Sequence, residues 1–236
     1  MEKNDQFTRT RMLLGDESLA SLQSSRILLF GVGGVGGYAA EALARAGVGS
    51  LTLVDSDKVD ITNINRQIIA LHSTIGRYKT EVMAERISQI NPSAEVIVRN
   101  CFYLPENADE FDFSQYDYIA DCVDTVAAKL EIISRAVSMN VPVISAMGTG
   151  GKLDPSLFRV SDISKTEYCP LAKVMRRELR KRGIAHVPVV WSPEMPYKAP
   201  SSRDEPPGTV PFVPAAAGLV LAGAIIRNLA GIVPEN

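Results

Sequence analysis

The sequence is poor in the residues that build disulfide frameworks, zinc sites and imidazole chemistry. Its 236 residues include three cysteines, two histidines and one tryptophan. Cys101, Cys122 and Cys169 are an odd number without paired spacing, which argues against a disulfide framework. No CxxC occurs, so the usual ligand pairs of a structural zinc site are missing. An excess of one charge is missing too. The net charge is −2, so the chain as a whole is no nucleic-acid polycation, and only a local basic patch is left open. The stretch MEKNDQFTRTRM has no apolar core of the kind a signal peptide needs, which predicts a reducing, cytoplasmic setting. Long hydrophobic runs are scarce. Residues 213–231 are the exception, rich in Ala and Gly, but they carry Arg227 and Asn228. Their uncharged run falls short of the roughly 18 residues of a membrane span, which predicts a buried helix and no membrane.

What remains is an ordinary globular composition, 46% apolar and 22% charged. The length suits one domain over residues 1–236. Strand-like and helix-like stretches alternate through SRILLF, GYAAEALARAG, SLTLVDSD, KTEVMAERISQINP, AEVIVRN, YDYIADCVDT, VAAKLEIISRAVSMN and VPVISAMGTGG. Such alternation means βαβ units, and the unbroken apolar strands mean burial on both faces. The expectation is an α/β, Rossmann-like, doubly wound and mainly parallel sheet, with a core over residues 9–155. Residues 156–236 then form a substrate or crossing segment, a C-terminal part of the sheet and the buried C-terminal helix. In this part GKLDPSLFRVSDISKTEYCPL reads as a strand pair and a loop. PLAKVMRRELRKRGI reads as a basic amphipathic helix. Seven prolines from Trp191 through Pro214 predict an extended, mobile crossing segment.

Gly31, Gly33 and Gly36 spell G-x-G-x-x-G between a strand and a helix. Bare backbone there approaches a phosphate, and the helix N-terminus adds partial positive charge. Asp55 ends the next strand, about where an acid accepts from a ribose hydroxyl. The plainer reading is a tight turn with a capping acid. The segment after Asp55 departs from a dehydrogenase. DITNINRQ puts Asn63, Asn65, Arg66 and Gln67 into a polar turn, and Lys79 heads the next helix at a solvent-facing position. Two fixed cations suit a polyphosphate whose bond is being broken, because they stabilise charge on departing pyrophosphate. His72 and His186 have no dehydrogenase context, and His72 reads as a surface or cap residue. Asp124 ends the fourth strand, where a carboxylate can hold Mg²⁺ on phosphates, and Asp57 can do likewise. Asp121, inside that strand, reads as a hydrogen-bonded structural acid, and Cys122 as core.

The set GVGGVGG, DSDKVDITNINRQ, GRYKTEVMAERISQINP and DCVDT resembles the ubiquitin-activating-type adenylating enzymes over about residues 9–155. The resemblance implies ATP-dependent adenylation of a carboxylate. It puts ATP on Gly34, Asp55, Asn63, Arg66 and Lys79, and Mg²⁺ on Asp124, leaving open a monovalent Na⁺ or K⁺. It also implies a homodimer in which Arg11 enters the partner's ATP site; alternatively Arg11 is a solvated arginine. Within this superfamily RTRMLLGDESLASL, INRQIIAL, DISKTEYCPLAKVMRREL and VPAAAGLVLAGAIIRNL are more similar to the tRNA threonylcarbamoyladenosine dehydratase branch. That branch implies a ligase-type enzyme whose adenylate closes intramolecularly, at high effective molarity, on a tRNA anticodon loop. The alternative is an activator of a small ubiquitin-like sulfur-carrier protein, served by a cysteine-desulfurase-type system. A nucleotide-binding regulator without turnover is the third reading. Cys169 precedes Pro170 at a helix start, where a thiol pKa can fall. It is either a carrier-type nucleophile or an incidental loop thiol. Lys173, Arg176, Arg177, Arg180, Lys181 and Arg182 are either a solvated face or a phosphate-tracking surface for tRNA.

Overall fold

Short runs of aliphatic residues, each ended by a glycine or an acid, become the strands of one sheet. The computed structural model describes residues 4–197 and 207–232. Its strands are β1 Arg26–Phe30, β2 Ser50–Val54, β3 Glu95–Arg99, β4 Tyr118–Asp121, β5 Val143–Ala146, β6 Arg159–Asp162 and β7 Pro188–Trp191. They lie in the order β3-β2-β1-β4-β5-β7-β6. Neighbours are parallel except β6 against β7. The helices are α1 Thr8–Leu14, α2 Asp16–Ser24, α3 Gly36–Ala46, α4 Lys79–Ile90, α5 Val126–Ser138, α6 Pro170–Lys181 and α7 Phe212–Leu229. This is the doubly wound α/β arrangement read from the alternation.

The period of two in β1 divides the core. Ile27 and Leu29 enter the layer of α3, α4 and α7, beside Leu43, Met83 and Leu221. Leu28 and Phe30 enter the opposite layer, beside Ile132 of α5 and Met175 of α6. All four are fully buried, so no polar residue interrupts the strand.

Several expectations need correction. α1 and α2 precede the first strand and were not foreseen. Only β6 lies in the stretch expected to hold a strand pair. Its partner is β7, which inserts between β5 and β6. β4 stops at Asp121, so Asp124 lies three residues on, in the loop before α5, and Cys122 is just outside the strand. The crossing segment falls partly on residues 198–206, outside the described residues; its flanks, 192–197 and 207–210, carry no helix or strand. By length and composition α7 could span a membrane. Yet Val213, Ala217, Leu221, Ala222 and Ile225 are buried against the first layer, while Phe212 and Leu219 stand about half exposed. α2 secures its far end: Ser18 and Ser21 donate to Ala230 O at 3.1 Å and Leu229 O at 2.7 Å, carbonyls with no partner inside the helix.

Asp121 fulfils its structural reading. Its side chain and that of Lys129 are both 0% exposed and 2.9 Å apart, and Ser145 of β5 donates to the same carboxylate oxygen. The other oxygen accepts from Val123 N at 3.3 Å, which ties the loop carrying Asp124 to the sheet. A buried pair barely offsets its desolvation, but one abandoned charge is costly. Lys129→Met should therefore destabilise the fold by about 3–5 kcal/mol in denaturant unfolding, and Asp121→Asn in the same chain should restore most of the loss. An unchanged midpoint for Lys129→Met would remove the pair from this role.

Candidate nucleotide site

The site begins with the turn out of β1. Gly31 has φ +85°, and a Cβ there would lie 2.8 Å from Cys122 O. Gly36 is tighter still: its Cβ would come within 1.8 Å of Gly31 O. The motif thus divides by task. Gly33 and Gly34 line a cavity of about 590 Å³, with Gly31 at its base. Gly36, read as cofactor-binding, does not line it; it lets α3 start hard against the end of β1. The cavity opens where the sheet order reverses between β1 and β4, the usual ligand crevice of an open α/β sheet. The start of α3 points partial positive charge at it.

Asp55 sits one residue past β2. Its oxygens accept from Val32 N at 2.7 Å and Asp57 N at 2.8 Å, which fixes the carboxylate with lone pairs to spare. Burial pushes its pKa above the ordinary carboxylate value, against the pull of Asp57 N–H and the Lys79 charge. Lys79 opens α4 as expected but is buried rather than solvent-facing, and its ammonium lies 2.6 Å from the exposed carboxylate of Asp57. Asp57 therefore already serves as partner to Lys79. Asn63 is buried in the wall; its Oδ1 accepts from Asp60 N, leaving its amide donors for the cavity. Arg66 also lines it, and one guanidinium nitrogen donates to Thr62 O and Asn65 Oδ1, both at 2.9 Å. Gln67 is 6% exposed, and its Oε1 is buried in the lining with no hydrogen-bond partner. Asp124 contributes an exposed carboxylate across from them.

Besides Gly36, two candidates lie elsewhere. Asn65 is exposed, is not part of the lining, and donates instead to Thr209 O at 3.1 Å. Arg11, on α1, pairs with Asp5 at 2.7 Å and Asp16 at 3.0 Å, and is not among the lining residues of its own chain. The basic helix also presents fewer cations than its spacing predicts. Arg176 turns inward onto Thr166, donating to its carbonyl at 2.7 Å. Arg177 and Lys181 share Glu178. Lys173, Arg177, Arg180, Lys181 and Arg182 remain exposed.

Sequence reasoning missed one end of the cavity, formed by Cys101, Phe102 and Tyr103. Tyr103 packs 4.5 Å from Phe30, within a cluster that includes Phe111 and Phe113. It missed Thr209 and Pro214 in the opposite wall. It missed Lys152, buried and donating to Ser192 O and Glu194 O, which pins the chain after β5 to the end of β7; burial pulls its pKa down. Cys122 lines the cavity, and burial pushes its thiol up to about 12. Cys169 takes the position before α6 but is 4% exposed, under Gly148. The adjacent aromatics of CFY were the available signal for that end; Lys152 sits in a loop without local pattern.

The model of the ThiF family matches residues 7–236. The tRNA threonylcarbamoyladenosine dehydratase of Bacillus subtilis (strain 168) is 43% identical over 95% of this chain and 94% of its own length. The Escherichia coli (strain K12) protein of that name is 42% identical over 74% of this chain and 65% of its own length. The crystal structure of the E. coli enzyme in complex with ATP superposes with a TM-score of 0.89 at 36% identity, covering 96% of this chain and 94% of that one.

A buried Cys169 cannot meet a substrate without local opening. Alkylation of the folded protein, mapped by mass spectrometry, should leave Cys169 unlabelled until denaturant is added. Rapid labelling of Cys169 ahead of Cys101 would reinstate it as a presented nucleophile.

Proposed function

The chain belongs to the ThiF family, and we propose how its site carries out ATP-dependent dehydration of threonylcarbamoyladenosine in tRNA. The observation that carries the reading is one cavity lined by a bare glycine loop, two anchored cations, an exposed carboxylate and a fixed Asp55.

Asp55 accepts from the ribose, Gly33 and Gly34 let the phosphates approach the backbone, and the Phe102–Tyr103 end shelters the base. Arg66 and Lys79 hold the polyphosphate. The threonylcarbamoyl carboxylate attacks the α-phosphorus; the bond to pyrophosphate breaks, and the mixed anhydride with AMP forms. Arg66 and Lys79 stabilise the charge that gathers on the departing pyrophosphate. An internal nucleophile of the modified base then displaces AMP and closes the ring, with net loss of water; no enzyme nucleophile is required, in keeping with a buried Cys169. The exposed carboxylate of Asp124 is a hard oxygen donor of the kind that holds Mg²⁺ together with substrate phosphates and waters. Bound there, the ion would neutralise phosphate charge. Asp57 supports the site through Lys79. We place the enzyme in the cytoplasm as a two-fold dimer. Met12 and Leu13, 83% exposed beside Arg11, fit α1 docking on a second copy and carrying Arg11 toward its site.

The carrier-protein reading, in its thiolating form, would need a presented thiol. Its test is ATP–pyrophosphate exchange with three additions: tRNA bearing threonylcarbamoyladenosine, a small carrier protein, and buffer. Exchange should follow the modified tRNA and vanish in Lys79→Ala while cooperative unfolding is retained. Exchange driven by the carrier protein alone would overturn the assignment.

The tRNA reaches the cavity along α6. Leu171, in its first turn, lines the cavity, and exposed Lys173 and Arg180 continue outward with Arg177. Changing Lys173, Arg177 and Arg180 to Gln should weaken tRNA binding and flatten its logarithmic salt dependence by about 0.7–0.9 for each phosphate no longer neutralised. Arg176→Gln should act on stability instead. An unchanged salt slope in the triple variant would make α6 only a solvated face.

A further inference from the structure

We propose that Asn65 is a positioning residue that couples occupancy of the phosphate site to ordering of the cavity wall at residues 207–214; this rests on the nucleotide reading above. Asn65 lies outside the lining, yet both ends of its amide are engaged with residues inside it. Its Oδ1 accepts from Arg66 at 2.9 Å and its Nδ2 donates to Thr209 O at 3.1 Å. The guanidinium can only donate and the carbonyl can only accept, so these partners fix which way the amide points.

The segment it reaches forms one wall of the cavity. Gly208 O accepts from Gly151 N at 2.8 Å. Pro214 packs over the glycine loop, 3.2 Å from where a Cβ on Gly34 would stand. Thr209 itself lines the cavity, and its hydroxyl is buried with no hydrogen-bond partner. A buried, unpaired hydroxyl is rare and leaves this stretch of the wall short of one hydrogen bond. Asn65 links that wall to the phosphate arginine through its side chain.

A polyphosphate that fixes the Arg66 guanidinium also fixes the acceptor end of Asn65. That restrains Thr209 and the wall to which it belongs. Nucleotide binding thus orders the carboxylate side of the cavity before the substrate is held there, a coupling carried by reduced motion rather than by a large displacement.

Asn65→Asp separates the two links. It keeps an acceptor for Arg66 but loses the donor and sets a carboxylate against Thr209 O. Hydrogen exchange of the full chain, read by mass spectrometry with and without ATP and Mg²⁺, should show ATP slowing peptides over residues 207–211 in the parent. In Asn65→Asp, compared at saturating ATP, that slowing should vanish while adenylation falls about fivefold, the size of one net hydrogen bond. Asn65→Ser serves the same comparison if the aspartate variant does not unfold cooperatively. Equal ATP-induced slowing in variant and parent, both saturated with ATP, would overturn the coupling while leaving the nucleotide site intact. Failure of the parent itself to bind ATP would overturn both.

Discussion

The site depends on how closely the end of β1 meets the start of α3. Gly36 stands where any Cβ would collide with the Gly31 carbonyl, and Gly31 stands where any Cβ would collide with Cys122 O. These contacts compress strand, helix and the loop after β4 into one corner. The helix can then begin at the sheet edge, and its N-terminal amides face the cavity floor. From below, the buried Asp121–Lys129–Ser145 group holds the same corner, because Asp121 also accepts from Val123 N. The carboxylate of Asp124 is thereby presented by a loop fixed at its root.

Around this corner the charges are held before any ligand arrives. Lys79 is buried and kept in place by Asp57; Arg66 is kept by Thr62 and Asn65. Preorganised cations avoid reorganisation when charge develops on a leaving group, which is where electrostatic stabilisation has its largest effect. The same arrangement explains why a chain of net charge −2 can hold a polyanion: the relevant charge is local and partly shielded from water.

Much of this was legible in the sequence, because glycine spacing, strand ends and helix heads are local signals. The parallel sheet, Asp55 after β2, Lys79 at the start of α4 and the structural role of Asp121 are all legible in such patterns. What stayed hidden depends on packing between distant segments. Nothing local says that Gly36 meets backbone rather than ligand, or that Asn65 reaches across to Thr209. Helical spacing puts Arg176 on the cationic face of α6, but Thr166 from the preceding loop takes it out. β7 escaped because four residues beside a proline-rich stretch carry little pattern of their own. The aromatic end of the cavity escaped because only packing brings Tyr103 onto Phe30, Phe111 and Phe113.

The central claim is chemical: this cavity activates a carboxylate on modified tRNA so that it closes on itself. The direct measurement is the mass of the modified nucleoside after incubating the protein with ATP and tRNA bearing threonylcarbamoyladenosine. The account predicts loss of one water, dependent on ATP and accompanied by AMP and pyrophosphate in equal amounts. An unchanged nucleoside, in the presence of ATP that the protein demonstrably binds, would contradict it.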